Sequence, residues 1–226
     1  MICIRASLHI ERREKMSETN RSKRNKILAE HIIKNLESRN MEGYYAETKE
    51  DALKIALELI PEGSKVCKGG TESVREIGLM DALKEGNYDF LAYDSSTKAS
   101  EDVSKNFCFN ADYFLSSANA MTQDGIIVNI DGRANRVAAI CYGPENVIMI
   151  VGMNKVTKDL DSAMKRARNE ASPINAMRFG KTPCVKTGYC IDCKSPDTIC
   201  CQFVVTRFSR TKGRIKVILV NEELGF

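Results

Sequence analysis

The chain has 226 residues, 43% apolar and 28% charged, an ordinary balance for a globular protein with enough length to bury a sizeable core. No run reaches the roughly 18 consecutive apolar residues of a membrane helix, and the start, interrupted by Arg5 and His9, is too broken for a signal-peptide core. The net charge of +4 is concentrated in residues 1–26, where eight basic side chains face three acidic ones, so the body lacks the basic face that nucleic acid requires.

The expected compartment is therefore the cytoplasm, with neither membrane nor nucleic acid as a partner. Residues 1–17 read as a basic, disordered N-terminal extension, with Met16 as an alternative start, and residues 18–226 as one domain. In chain order, 17–40 is an amphipathic helix with Ile27, Leu28, Ile32 and Leu36 along one stripe. A strand follows at 41–47. Thr48 and Asp51 form a capping box for a second helix, buried through Ala52, Ile55, Ala56 and Leu59.

A strand through Val66 ends in a glycine pair, and a helix covering Val74 to Leu83 follows Thr71. Residues 88–94 and 111–117 read as strands, with a short helix at 102–107 between them. Residues 125–144 carry two apolar runs around Asp131-Gly132, which predicts a β-hairpin. Residues 146–152 form a continuous apolar run, as in a strand buried on both faces. A helix from Asp159 to Arg168, a cysteine-rich excursion at 183–201 and two closing strands complete the chain. The alternation predicts one α/β domain with a largely parallel sheet flanked by helices, an inserted β-hairpin and the excursion.

Three segments suit ligand binding. Gly69, Gly70 and Thr71 sit between a strand and a helix, where bare backbone and free N–H groups attract anions; a plain strand-to-helix turn is the alternative. The loop at 116–125 offers Asn119, Thr122, Gln123 and Asp124 beyond a strand end, or else only the turn into the hairpin. Arg133 and Arg136 fall at the predicted hairpin tip, and a guanidinium grips carboxylate or phosphate with two donors. The two histidines, His9 and His31, lie far from any nucleophile, which leaves a Ser–His–Asp or Cys–His mechanism without support.

Five of the nine cysteines fall between 184 and 201. In a reducing compartment such a group reads as metal-binding or redox-active rather than as a disulfide framework. Cys184, Cys190, Cys193 and Cys200 are the expected ligands of an all-sulfur site, either zinc or an iron–sulfur cluster. Cys201 could replace Cys200 as the fourth ligand, though the two are not expected to bind together, since adjacent side chains on an extended backbone diverge; as the start of an apolar run, Cys201 would otherwise pack inward. Cys3, Cys67, Cys108 and Cys141 are scattered and read as small buried apolar residues.

The stretches KGGTESVREIGL, ADYFLSSANAMTQDG, GRANRVAAICYGPENVIMIVGMNKV, PCVKTGYCIDC and RIKVILVNEELGF together resemble the lactate-utilisation (LUD) domain family, from about residue 20 to the end. The resemblance implies a fold like that of the ribose-phosphate isomerase, glucosamine-phosphate deaminase and CoA-transferase group. It implies a role in oxidising lactate to pyruvate beside iron–sulfur partner subunits. Carried over by position, it marks Gly69, Gly70, Thr71 and Glu76 as ligand-binding. Gln123 stands where related CoA transferases offer a nucleophilic glutamate; an amide cannot serve so, which leaves Asp124 as the other catalytic candidate. The cysteine segment, which many members lack, turns the choice towards an iron–sulfur cluster, with zinc as the alternative. A CoA-ester or sugar-phosphate enzyme and a zinc-stabilised scaffold remain competing readings.

Overall fold

The computed structural model describes the backbone of residues 2–92 and 96–226, with the side chains of that range except those of 2–19 and 98. The basic extension and Cys3 fall on residues whose side chains lie outside the described set. The chain runs α1 (Ile2–Glu37), β1 (Glu42–Ala46), α2 (Lys49–Leu59), β2 (Lys65–Lys68), α3 (Glu72–Glu76), α4 (Leu79–Glu85), β3 (Asp89–Ala92), α5 (Lys98–Phe109) and β4 (Tyr113–Ser116). It continues through β5 (Ala120–Thr122), β6 (Ile127–Asp131), α6 (Asn135–Cys141), β7 (Asn146–Gly152), β8 (Val156–Thr157), α7 (Leu160–Arg166), α8 (Ser172–Ala176), α9 (Cys184–Thr187), β9 (Gln202–Thr206) and β10 (Ile215–Val220).

Six strands form one parallel sheet in the order β1-β10-β7-β4-β2-β3. Because side chains alternate across a strand, β7 and β10 feed two cores. Val147, Met149, Val151, Val217 and Leu219 pack with Ala29, Ile32 and Leu36 of α1 and Ile140 of α6. Ile148, Ile150, Ile218 and Val220 pack with Ala52 and Ala56 of α2 and with Leu79 and Leu83 of α4. The expected single α/β domain with a mostly parallel, helix-flanked sheet is the observed one. A second sheet, β8-β5-β6-β9, rides beside it, antiparallel at β5–β6 and β6–β9.

The capping box at Thr48 is present, with both of its hydrogen bonds. Several details differ from expectation. The hairpin lies one element earlier, at β5–β6; the second apolar run, from Asn135, is helix α6. Ala134 takes a left-handed φ of 60°, and Asp131 Oδ2 accepts the Val137 N–H at 2.9 Å, turning the chain into a helix with Val137, Ala139 and Ile140 buried. The helix predicted after Thr71 breaks into α3 and α4 at Gly78. Ile27 is exposed, and the buried stripe of α1 is Asn25, Ala29, Ile32 and Leu36. Cys67 and Cys108 are joined in a disulfide rather than standing apart. Cys141 and Cys201 are exposed, the latter because β9 is an edge strand of the small sheet whose residues alternate between half-buried and exposed. Among the described residues no helix is long and apolar enough to cross a membrane.

Candidate functional site

After β2 the chain moves outward to β3, then returns to place β4 on the other side of β2. The loops leaving β2 and β4 therefore diverge at their carboxyl ends, and in open α/β sheets such a point opens a crevice for ligand. A cavity of about 550 Å³ lies there, within the range of small-molecule sites. Gly70, Thr71 and Glu72 line it from the β2 side, Ser117, Ala118 and Asn119 from the β4 side.

At its floor sits Lys155, in the single 3-10 turn that follows β7 and only 3% exposed. Its Nζ donates to Ser73 Oγ and Ser117 Oγ, each at 3.0 Å, and those two oxygens lie 3.3 Å apart. Burial pushes the amine down from its ordinary value to about 7, with the positive charge of Arg166 acting in the same sense, Glu76 opposing and Arg136 again lowering it. The hydroxyl of Thr71 is buried, lines the same cavity and has no hydrogen-bond partner. The C-terminal stretch passes over this floor. Gly225 N donates to Glu76 Oε2 at 2.8 Å, and its left-handed φ of 54° favours glycine at this close approach, where a Cβ would stand 3.2 Å from Lys155 Nζ.

Arg136 borders the cleft but spends its donors on the protein. Nε reaches Asp131, Nη1 reaches Ser117 O and Asn129 Oδ1, and Nη2 reaches Asn119 Oδ1 and Ile130 O. It is a positioning residue that fixes both cleft loops and is neutralised by Asp131 at 2.8 Å. Asn119 serves the same frame, its Oδ1 also accepting the Ile130 N–H. Arg133 pairs with Glu101 at the rim. Gly69 lies in a neighbouring cavity bordered by Phe114 and Cys108.

The structure does not bring Thr122, Gln123 or Asp124 to the cleft. They lie at the end of β5 and in the turn into β6, clasped by α1 and the turn after it: Asn35 donates to Gln123 O, and Arg39 pairs with Asp124 Oδ2 at 2.7 Å. Thr122 Oγ1 donates to Asp124 and accepts the Ile126 N–H. The groups sequence reasoning missed are Lys155 and Ser117. The available signal was a lysine placed just beyond the carboxyl end of a wholly apolar strand, where a charge has no solvent to meet.

Cys184, Cys190, Cys193 and Cys200 line one small cavity of about 50 Å³, together with Arg168, Ser172 and Thr198. All four are free thiols. Burial pushes the Cys200 thiol up; Ser172 lowers it through a hydrogen bond, and the charges of Cys190, Cys184 and Cys193 add to the rise. Arg168 rises chiefly through hydrogen bonding to Cys190, then to Asp192, with which it pairs at 2.5 Å. Among the described residues, no three His, Cys, Asp or Glu side chains stand close enough together to hold a metal ion. The segment docks on the cleft wall: Cys201 N donates to Asp131 O at 2.8 Å, and Gly132 lies so near Ile199 that a Cβ would come within 3.0 Å of its Cα. Thr198 and Ile199 consequently line both cavities.

The family model described as LUD domain matches residues 29–220. A solved structure of a DUF162 family protein from Deinococcus radiodurans is similar in fold, with 12% identity, a TM-score of 0.51, and coverage of 87% of this chain and 98% of that one. No curated protein matches the sequence.

Proposed function

The chain belongs to the LUD domain family, and on that premise we propose that it serves the oxidation of lactate to pyruvate by binding a small anion in the cleft beside a cysteine-held centre. The observation that carries this reading is the shared wall. Thr198 and Ile199 face the anion cleft on one side and the four thiols on the other. An anion is favoured because the buried Lys155 has only hydroxyl partners and Thr71 lacks an acceptor.

Cys184, Cys190, Cys193 and Cys200 would hold the centre. The donor set fits, with four thiols on one cavity and no imidazole among its walls. The all-sulfur donor set suits either an iron–sulfur cluster or zinc, and the redox setting of the family favours the cluster. Such a cluster supplies one-electron transfer. The protein's own groups do the rest: Arg168 sets a positive charge beside Cys190, and Thr198 holds Cys193 Sγ and Cys200 N through its hydroxyl. Exposed Tyr189 and Ile191 on the same segment offer an apolar contact for an iron–sulfur partner subunit. Gln123 and Asp124 do not line the cleft, which argues against CoA transfer there.

Anaerobic purification followed by absorption spectroscopy and metal analysis tests the reading. The expected result is bound iron with a visible charge-transfer band, lost in Cys190→Ser and retained in Cys141→Ser. Stoichiometric zinc would move the site to a structural role, and protein free of metal after anaerobic purification would overturn the centre altogether.

A further inference from the structure

Lys155 is a buried amine whose described neighbours leave it incomplete. Among the described residues no carboxylate lies within ion-pair distance of Nζ, and its two hydrogen-bond partners are neutral hydroxyls. A buried ammonium without a counter-charge is costly, and groups kept in that condition cluster at sites of chemistry. The recess lacks two things: a negative charge to balance the nitrogen when it is protonated, and a partner for the Thr71 hydroxyl. Arg136 cannot serve as the anion grip, because its donors are already engaged.

A 2-oxo carboxylate supplies what is missing. Its carboxylate brings the counter-charge and an acceptor for Thr71, and the adjoining carbonyl carbon is the electrophile that an amine attacks. We propose that Lys155 forms a Schiff base with the keto carbon of a small 2-oxo acid, with Ser73 and Ser117 carrying the protons, an assignment that rests on the reading of the cleft as an anion site.

The step balances without any co-reactant. The Nζ lone pair bonds to the carbonyl carbon, and the carbonyl oxygen takes a proton from one serine to give a carbinolamine. Nitrogen returns a proton through the other serine. The carbinolamine hydroxyl takes a further proton, drawn from solvent water through the serine pair, and leaves as water as the C=N bond forms, so that this proton becomes the charge of the iminium. The positive iminium then lies one carbon from the ligand's own carboxylate, which makes the pair neutral in a recess shielded by Gly225. Burial, with Arg166 and Arg136 close by and Glu76 opposing, holds the amine near 7, so a large share is neutral and nucleophilic at neutral pH.

The test uses the full chain with pyruvate or glyoxylate and sodium cyanoborohydride, read by intact mass and peptide mapping, alongside calorimetry with oxalate, which has the charge but no ketone. The expected result is one reduced adduct per chain on the peptide bearing Lys155. Lys155→Met should show none, and Ser73→Ala should be slowed by roughly a hundredfold, the usual loss with a proton-transfer group, with oxalate still bound. Oxalate binding without an adduct at Lys155, or adducts scattered over exposed lysines, overturns the Schiff base and leaves the anion site standing. Absence of both oxalate binding and adduct overturns both. Mapping on the unaltered protein keeps the test decisive even if the variants fold poorly.

Discussion

Replacing Lys155 with methionine gives a measurable account of the buried amine. Methionine keeps the length and much of the apolar volume while removing the proton. In the folded protein the amine titrates near 7, against an ordinary value of 10.5. Below pH 7 both folded and unfolded chains carry the proton, and the full burial penalty, about 5 kcal/mol at ~1.4 kcal/mol per pH unit, weighs on the native state. Between those two values the unfolded chain binds the proton and the folded one does not, so native stability rises with pH through that window. Above 10.5 both states are neutral and the penalty is gone. Integrated from pH 7 to pH 9, this one group should add about 2 kcal/mol. The charged groups acting on Nζ are Arg166, Glu76 and Arg136. Urea unfolding of wild type and Lys155→Met, run in parallel at pH 7, 8 and 9, isolates the effect, because all other titrations cancel in the difference. Loss of the hydrogen bonds to Ser73 and Ser117 adds an offset without a slope. A difference that is flat with pH would refute the buried, uncompensated amine, and one that moves in favour of the variant would invert it.

Asp124→Asn should cost no more than about 1 kcal/mol in urea unfolding, since its half-exposed pair with Arg39 is a surface ion pair, and should leave oxalate binding in the cleft unchanged. A loss of binding would return Asp124 to the site. Removing residues 1–15 is expected to leave the midpoint of thermal unfolding in place, because that stretch carries no periodic apolar face of its own; a large drop would show that it docks.

Much of the fold was legible because β7 is apolar from Val147 onward, and a strand of that kind is buried in a parallel sheet covered on both faces. The Thr48–Asp51 box was legible for the same kind of reason, since its two hydrogen bonds are local. What failed was non-local. The run after Asp131 has strand-like composition, yet the Asp131 carboxylate captures the Val137 N–H from six residues away and starts a helix. Arg136 followed from that error: on a hairpin tip it would be solvated, whereas on α6 it turns inward to five acceptors. Thr122, Gln123 and Asp124 were read as ligand groups because they follow a strand, but the strand they follow belongs to the small sheet, whose turn meets α1. That Cys184, Cys190, Cys193 and Cys200 share one cavity was legible because their spacing is a local property of a single loop.

Asp131 ties the walls of the two cavities together. Its Oδ1 neutralises Arg136, its Oδ2 caps α6, and its backbone oxygen accepts Cys201 N. One residue thus ties the floor of the anion cleft to the exit of the cysteine segment. The remaining ties run through Thr198, whose hydroxyl accepts the Cys200 N–H and is reached by Cys193 Sγ. Drawing the four sulfurs onto a centre would pull on Thr198 and Ile199, and these are the residues that wall the cleft. On the proposed reading, loading the cysteines and filling the cleft would be linked in free energy, and linkage is reciprocal. A centre that tightened the cysteine segment would then change the affinity of the cleft for an anion by the same factor as the anion changed the hold on the centre.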